Sequence, residues 1–390
     1  MRRASLKYIV RIAQLIFLLM LIVTAIYLSL GRLVIGFSDN FRDDLARWFE
    51  QRLNVDVSVS SIKGDWTYFD PEITIDHLTL GESLDFDHIT FRIDTFNSFY
   101  KRRLVITAIE LKALRLHLNE IMPGKWNAVG FPDSSEFFDL DLAVELLNYL
   151  STATVDEIDI NLTGIRGGGG ISISNLVLKS GGGDERRVSV PLKIRGEGEK
   201  LLGSINILGK YSGNLKKPDF KGEFYADIIG NDLGYLFNLT NLTQQFSDIS
   251  VDNKVWVSID SGQKSIVTNL EIDAALLSNN SEKIPLKGEL SLGIKSSEDE
   301  FKVTGKQILI KIGDEQIDLS GIYGSLSSNL SQMAFIIPMM EIQQLSSLVL
   351  NFETQTPSKK LLTAIELIAP TGLLSETFLY LDREKKEEDY

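Results

Sequence analysis

The chain contains no cysteine. That excludes a disulfide framework, a thiolate metal site and a cysteine nucleophile. It has only three histidines, His77, His88 and His117. Each sits in or beside a strand-like segment, so they read as surface or strand-edge residues rather than as a metal site. No Gly-x-Ser-x-Gly, His-Glu-x-x-His or kinase-like set occurs. The glycine runs Gly167–Gly170 and Gly181–Gly183 are not followed by Gly-Lys-Ser/Thr and are read as hairpin loops around Ile171–Lys179. The carboxylate pairs Asp43-Asp44 and Asp139/Asp141 read as solvated faces and caps. Basic stripes are missing too. The net charge of −13 is spread along 390 residues, and blocks of charge are confined to the terminal REKKEEDY. An acidic chain of this kind argues against nucleic acid as a partner. No enzyme activity, cofactor or metal is expected.

What the chain does have begins at residue 12. The twenty residues Ile12 to Gly31 are uncharged, and only Gln14, Thr24 and Ser29 among them are polar. At about 1.5 Å per residue they span about 30 Å as a helix, the thickness of a hydrocarbon core. The preceding flank, residues 1–11, carries Arg2, Arg3, Lys7 and Arg11 and no acid. The positive-inside rule places that flank in the cytoplasm and the rest of the chain outside it. The run is long for a secretory signal and lacks a clean small-residue cleavage site, so an uncleaved anchor is expected.

Residues 32–54 read as an amphipathic, membrane-proximal helix. Ser38 or Asp39 can cap it, and Phe41, Leu45, Trp48, Phe49 and Leu53 recur at helical spacing. Residues 55–380 then repeat one theme: segments of alternating apolar and polar residues punctuated by glycine, asparagine and aspartate. Val55, Val57 and Val59 alternate with Asp56, Ser58 and Ser60, and turns are expected at Gly64-Asp65 and Asp70-Pro71. Later examples are Val255-Trp-Val257-Ser-Ile259 and Ile308-Leu-Ile310-Lys-Ile312. In ITIDHLTL the apolar parity changes between Ile75 and Leu78, which calls for a bulge or bend near Asp76-His77; the same change recurs between Ala113 and Leu114. Trp66 and Trp126 read as core-facing aromatics, with Trp66 also placed to plug the sheet beneath the anchor. Helices are expected at 134–150, 231–246, 339–350 and 358–367. The strands number about 16 to 20, which at about 4.8 Å apart would make a flat sheet roughly 75–95 Å wide. The fold class expected is mainly β with few helices: a transmembrane helix followed by a long, twisted antiparallel sheet. One apolar face on such a sheet must close, meet a second layer or be filled by something apolar. The residues nominated for that face are Val55, Val57, Val59, Ile73, Ile75, Leu78, Leu80, Ile89, Phe91 and Ile93. Residues 381–390 form a charged tail.

The helix DDLARWFEQRL, the strand VDVSVSSIKGDW, the segment DPEITIDHLTL, the passage FDHITFRIDTFNSFYKRRLVITAIELKALRLHLNE and the PGKWNAVGF turn resemble the N-terminus of the AsmA-like superfamily, in its YhdP-type branch. VSVPLKIRGEG, DFKGEFYADIIGNDL and LIAPTGLL resemble it more weakly. The resemblance implies strand, short helix, strand and Gly-x-Trp turn after the anchor. It also implies a groove of the bridge-like, chorein type (a β-taco), anchored in the bacterial inner membrane and facing the periplasm. Phospholipid would be its cargo, moved between inner and outer membranes. Members of this type are much longer, so a C-terminal partner or a continuation of the chain is expected to complete the path. A scaffold for outer-membrane protein assembly is the alternative, predicting a dry, filled interior. An envelope hydrolase or glycan-binding module would need converging acids or exposed stacked aromatics.

Overall fold

A computed structural model describes residues 18, 21–22, 24–25, 27–29, 31, 38–67, 70–122, 125–128, 150–164, 167–182, 184–196, 198, 200–214, 217–231, 246–260, 262–277, 283–296, 300–327, 332–343 and 371–382. The described residues of the expected span 12–31 are helical. Among the described residues no helix is long and apolar enough to cross a membrane, and most of that span lies outside them. The helices expected at 134–150, 231–246 and 358–367 lie outside the described residues except at Leu150, Asn231 and Phe246, none of which is helical, and the side chain of Trp126 and the tail from 383 lie outside them too. The protein is mainly β, with eighteen strands and few helices among the described residues. The chain divides into two compact units: Met1–Leu118 with Asn127–Ile160, and Asn119–Trp126 with Asn161–Tyr390.

The first unit opens with a 3-10 turn, Ser38–Phe41, and helix α1, Arg42–Leu53. Neither Ser38 nor Asp39 caps α1. Phe41 occupies the N-cap position without a side-chain bond. Asp39 instead accepts a 3.0 Å hydrogen bond from the backbone N–H of Ile62, which ties the helix start to the sheet. Strands β1 (Val57–Thr67), β2 (Asp70–Leu80), β3 (Leu84–Ile93) and β4 (Ile106–Met122) follow as an antiparallel meander, with helix α2 (Thr95–Lys101) between β3 and β4. β5 (Lys125–Ala128) and β6 (Thr152–Gly164) come next, and β6 pairs with β4. The turn expected at Gly64-Asp65 does not form: these residues pair with Ile73 and Glu72 inside the β1–β2 ladder. A glycine inside a ladder is weakening but permitted. Asp70 and Pro71, expected as the second turn, are instead the first residues of β2, opposite Thr67 and Trp66.

The parity change expected in β2 is present, as a bend rather than a bulge. His77 takes a left-handed conformation (φ 46°), yet the register with both neighbours is the same on either side of it. The neighbours change parity at the same level. Val59, Leu78, Phe86 and Leu114 are opposite one another, and so are Ile62, Ile75, Ile89 and Leu111, with two residues between the sets on each strand. An aligned bend across four strands keeps both sets on one face with no extra residue on any one of them. A bulge would have needed that extra residue.

The second unit contains β7 (Gly167–Gly182), β8 (Glu185–Arg195), β9 (Leu201–Ser212), β10 (Lys221–Gly230), β11 (Phe246–Asp260), β12 (Gln263–Leu277), β13 (Lys283–Ser296) and β14 (Glu300–Ile312). It continues through β15 (Glu315–Asp318), β16 (Tyr323–Ser327), β17 (Gln332–Glu341) and β18 (Leu373–Asp382). Each pairs antiparallel with its neighbour in sequence, except that β14 pairs with both β15 and β16. Of the glycine runs expected as loops, Gly167–Gly170 and Gly181–Gly182 are the two ends of β7. Residues 339–341, expected to begin a helix, are the end of β17, with Met339 opposite Ser375.

Candidate functional site

Antiparallel register brings every second residue of each strand to one face. In the second unit this alignment makes continuous cross-strand rows. One row runs Val188, Gly209, Phe224, Val257, Ile266, Ile294, Val303, Gly324 and Phe335, from β8 to β17. Another runs Leu192, Ile205, Ile228, Asn253, Leu270, Leu290 and Ile308. Two glycines in the first row have a packing reason: a side chain at Gly209 would strike the Phe224 ring, and one at Gly324 the Phe335 ring. The aromatic of one strand lies over the bare backbone of the next, which pins the register.

The other face is polar. Lys210 pairs with Glu223 at 2.9 Å, Lys221 with Asp260 at 3.0 Å and Lys287 with Asp273 at 3.1 Å. Gln307 donates to Glu289, and Ser291 to Asn269. Along β11 the apolar-face residues 251–259 are half-buried, whereas the alternate residues are exposed. Among the described residues no helix packs on either face of this unit. The unit thus has one continuous, half-buried apolar face and one exposed, charged face.

In the first unit the equivalent face is covered. Val55, Val57, Val59, Ile75, Leu78 and Leu80 are buried in one cluster, against which Ile73, Ile89 and Phe91 pack. Leu45, Ala46 and Phe49 of α1 lie on it as well. Ile93 is half-buried outside that cluster and sits opposite Ile106. The nominated residues are therefore brought together, but beneath α1. The helix residues divide: Leu45 and Phe49 face the sheet, and Phe41 and Trp48 are exposed.

Behind this cluster the polar face of β1–β3 carries a linked network. Asp76 accepts from Ser61 Oγ at 2.8 Å and Lys63 Nζ at 2.7 Å, and lies 2.7 Å from His88 Nδ1. Thr74 and Thr90 are 3.0 Å apart, and Arg92 binds Glu72 through Nε and Nη2. The hydrogen bond from Lys63, with those from Ser61 and His88, holds the Asp76 carboxyl far below its ordinary range. Among the described residues no group of His, Asp and Glu could hold a metal ion. The network is a structural brace for the bend.

One surface feature escaped the sequence reading. On the polar face of β9–β12, Leu208, Tyr225, Trp256 and Val267 form a cross-strand stripe. The Tyr225 and Trp256 rings are 5.3 Å apart, and the stripe lines an open cavity of about 550 Å³ rimmed by Arg187, Lys210 and Glu223. Its signal was Trp256, a large apolar residue out of phase with Val255 and Val257.

No curated protein and no solved structure matches the chain. Over residues 1–388 it matches the YhdP protein family, and by that match the chain belongs to it.

Proposed function

We propose that the chain is a non-enzymatic lipid conduit: the half-buried apolar rows of the second unit hold phospholipid acyl chains, and headgroups project past the sheet edges into water. Family membership and the long one-sided sheet fit a bridge-like lipid-transport protein in general. The observation that carries the finer reading is the apolar face of β8–β14, which no described helix covers. An apolar face this continuous and only half-buried is unfavourable in water and calls for an apolar occupant. Segment 12–31 is the single-pass anchor in the bacterial inner membrane, with its basic flank in the cytoplasm and the body in the periplasm. No nucleotide motif occurs, so movement is passive or driven by a partner, and a C-terminal partner or continuation completes the path to the outer membrane. The cluster beneath α1 favours a second reading locally. That interior is filled by protein, as an envelope scaffold would require.

The test uses the full chain, purified in detergent and analysed by native mass spectrometry. Phospholipid bound to the parent and lost from Leu290→Asp is the expected result. Val267→Asp, on the opposite face, retains it. A lipid-free mass from folded parent protein would overturn the conduit and favour the scaffold.

A further inference from the structure

Helix α2 has seven residues, and none of its side chains is buried. A helix this short has no stability of its own. It is nonetheless fixed by its surroundings. Asp94 caps it by accepting from the Asn97 N–H at 2.7 Å, and the Asn97 side chain returns a 2.6 Å bond to Asp94. Its first N–H, on Thr95, donates to Asp70 Oδ1 at 3.1 Å, and Ser98 Oγ accepts from the Val105 N–H at 2.9 Å. What this brace presents to solvent is Phe96 (79 % exposed), Phe99 (86 %) and Tyr100 (78 %), followed by exposed Lys101, Arg102 and Arg103. Three aromatics held outward contribute nothing to the core and mark a contact surface.

Its place in the meander indicates the partner. The β1–β2 turn and the β3–α2–β4 connection are at the same end of the first unit. At that end, Trp66 is opposite Pro71, one residue from the Asp70 that holds α2. The Tyr27 ring meets Trp66 edge-on with centroids 5.5 Å apart, and a side chain at Gly31 would strike the same ring. The end of the uncharged segment 12–31 and α2 thus share one end of the sheet. Aromatic rings beside basic side chains match a bilayer interface, where rings enter at headgroup depth and cations meet lipid phosphates.

We infer that α2 is a second membrane contact: Phe96, Phe99 and Tyr100 insert into the leaflet that the chain exits, and Lys101, Arg102 and Arg103 bind anionic phospholipid headgroups. The inference rests on segment 12–31 being the anchor. It is independent of whether the second unit holds lipid.

The absence of native cysteine makes the test direct. The full chain carrying Phe99→Cys with an environment-sensitive NBD label is reconstituted into vesicles of phosphatidylethanolamine and phosphatidylglycerol. Glu82→Cys, exposed in the β2–β3 turn at the opposite end of the meander, is the control. Expected are blue-shifted emission and quenching by headgroup-depth nitroxide lipid at position 99, with iodide quenching only at position 82. Water-like emission and equal iodide quenching at both positions would overturn the contact. Replacing phosphatidylglycerol with phosphatidylcholine should reduce the shift at position 99. A shift independent of anionic lipid would overturn the role given to the basic residues. Phospholipid bound per chain, measured on the same samples, reports on the conduit separately.

Discussion

At the scale of single residues, Asp76 gathers three side-chain partners in the first unit. Three partners from three directions converge on one carboxylate just where β1–β3 change parity. The bend therefore depends on an ionised group rather than on a turn residue. Because the folded-state value is depressed, the stabilisation is complete above the unfolded carboxylate range and is lost as pH falls toward the folded value. Asp76→Asn should cost about 1–2 kcal/mol near neutral pH, discounted because Lys63 is largely exposed. The deficit relative to the parent should narrow below about pH 4, where the unfolded carboxylate protonates. Chemical denaturation of both proteins from pH 7 to pH 3 measures it. A deficit constant with pH would mean that shape, not charge, holds the bend.

At the scale of elements, α1 closes the apolar face of the first unit with one side of its surface and leaves the other side exposed. Truncating Leu45 or Phe49 to Ala should destabilise that unit by about 2–4 kcal/mol, because each removal opens a cavity against the cluster. Trp48→Ala, at an exposed position, should change stability by less than about 0.5 kcal/mol. Urea unfolding of the three variants distinguishes them, and equal losses would mean that α1 is held by its exposed side. The sequence pattern disclosed α1, the alternation of Val55, Val57 and Val59, and the parity change at Asp76-His77, since all three follow from spacing alone. Spacing could not say that Leu45 and Phe49 would lie on the nominated valines, because which apolar face meets which is a tertiary choice. Gly64-Asp65 and the two glycine runs were misjudged for one reason. Glycine marks both turns and ladder positions, and only the pairing partner decides between them. The site in the second unit was legible strand by strand, as in Ile308-Leu-Ile310, but not as rows, because register is set between strands and a shift of one residue inverts a face.

At the scale of the whole molecule, the strand order makes stability local. Apart from β14, which pairs with both β15 and β16, every described strand of the second unit pairs with its neighbours in sequence, so each ladder is supported by the ladders beside it. Such a structure resembles a one-dimensional array, in which stability is a sum of nearest-neighbour terms. A cavity at one point should then loosen adjacent strands and fade with distance along the sheet. Leu286 is the place to create it, because it is buried with Ile249, Ala274 and Ile312 at one end of β11–β14. Leu286→Ala should speed amide hydrogen exchange in β12, β13 and β14 and leave the protection of β8 and β9 unchanged. Exchange followed by mass spectrometry resolves these segments. Faster exchange in β8 and β9 to the same degree would mean that the unit opens as one cooperative body. The apolar rows would then form and disappear together, and lipid could not advance through a locally opened segment. Confinement of the effect to β12–β14 would mean that the sheet can yield locally, as the proposed passage of an acyl chain requires, without losing the remaining ladders.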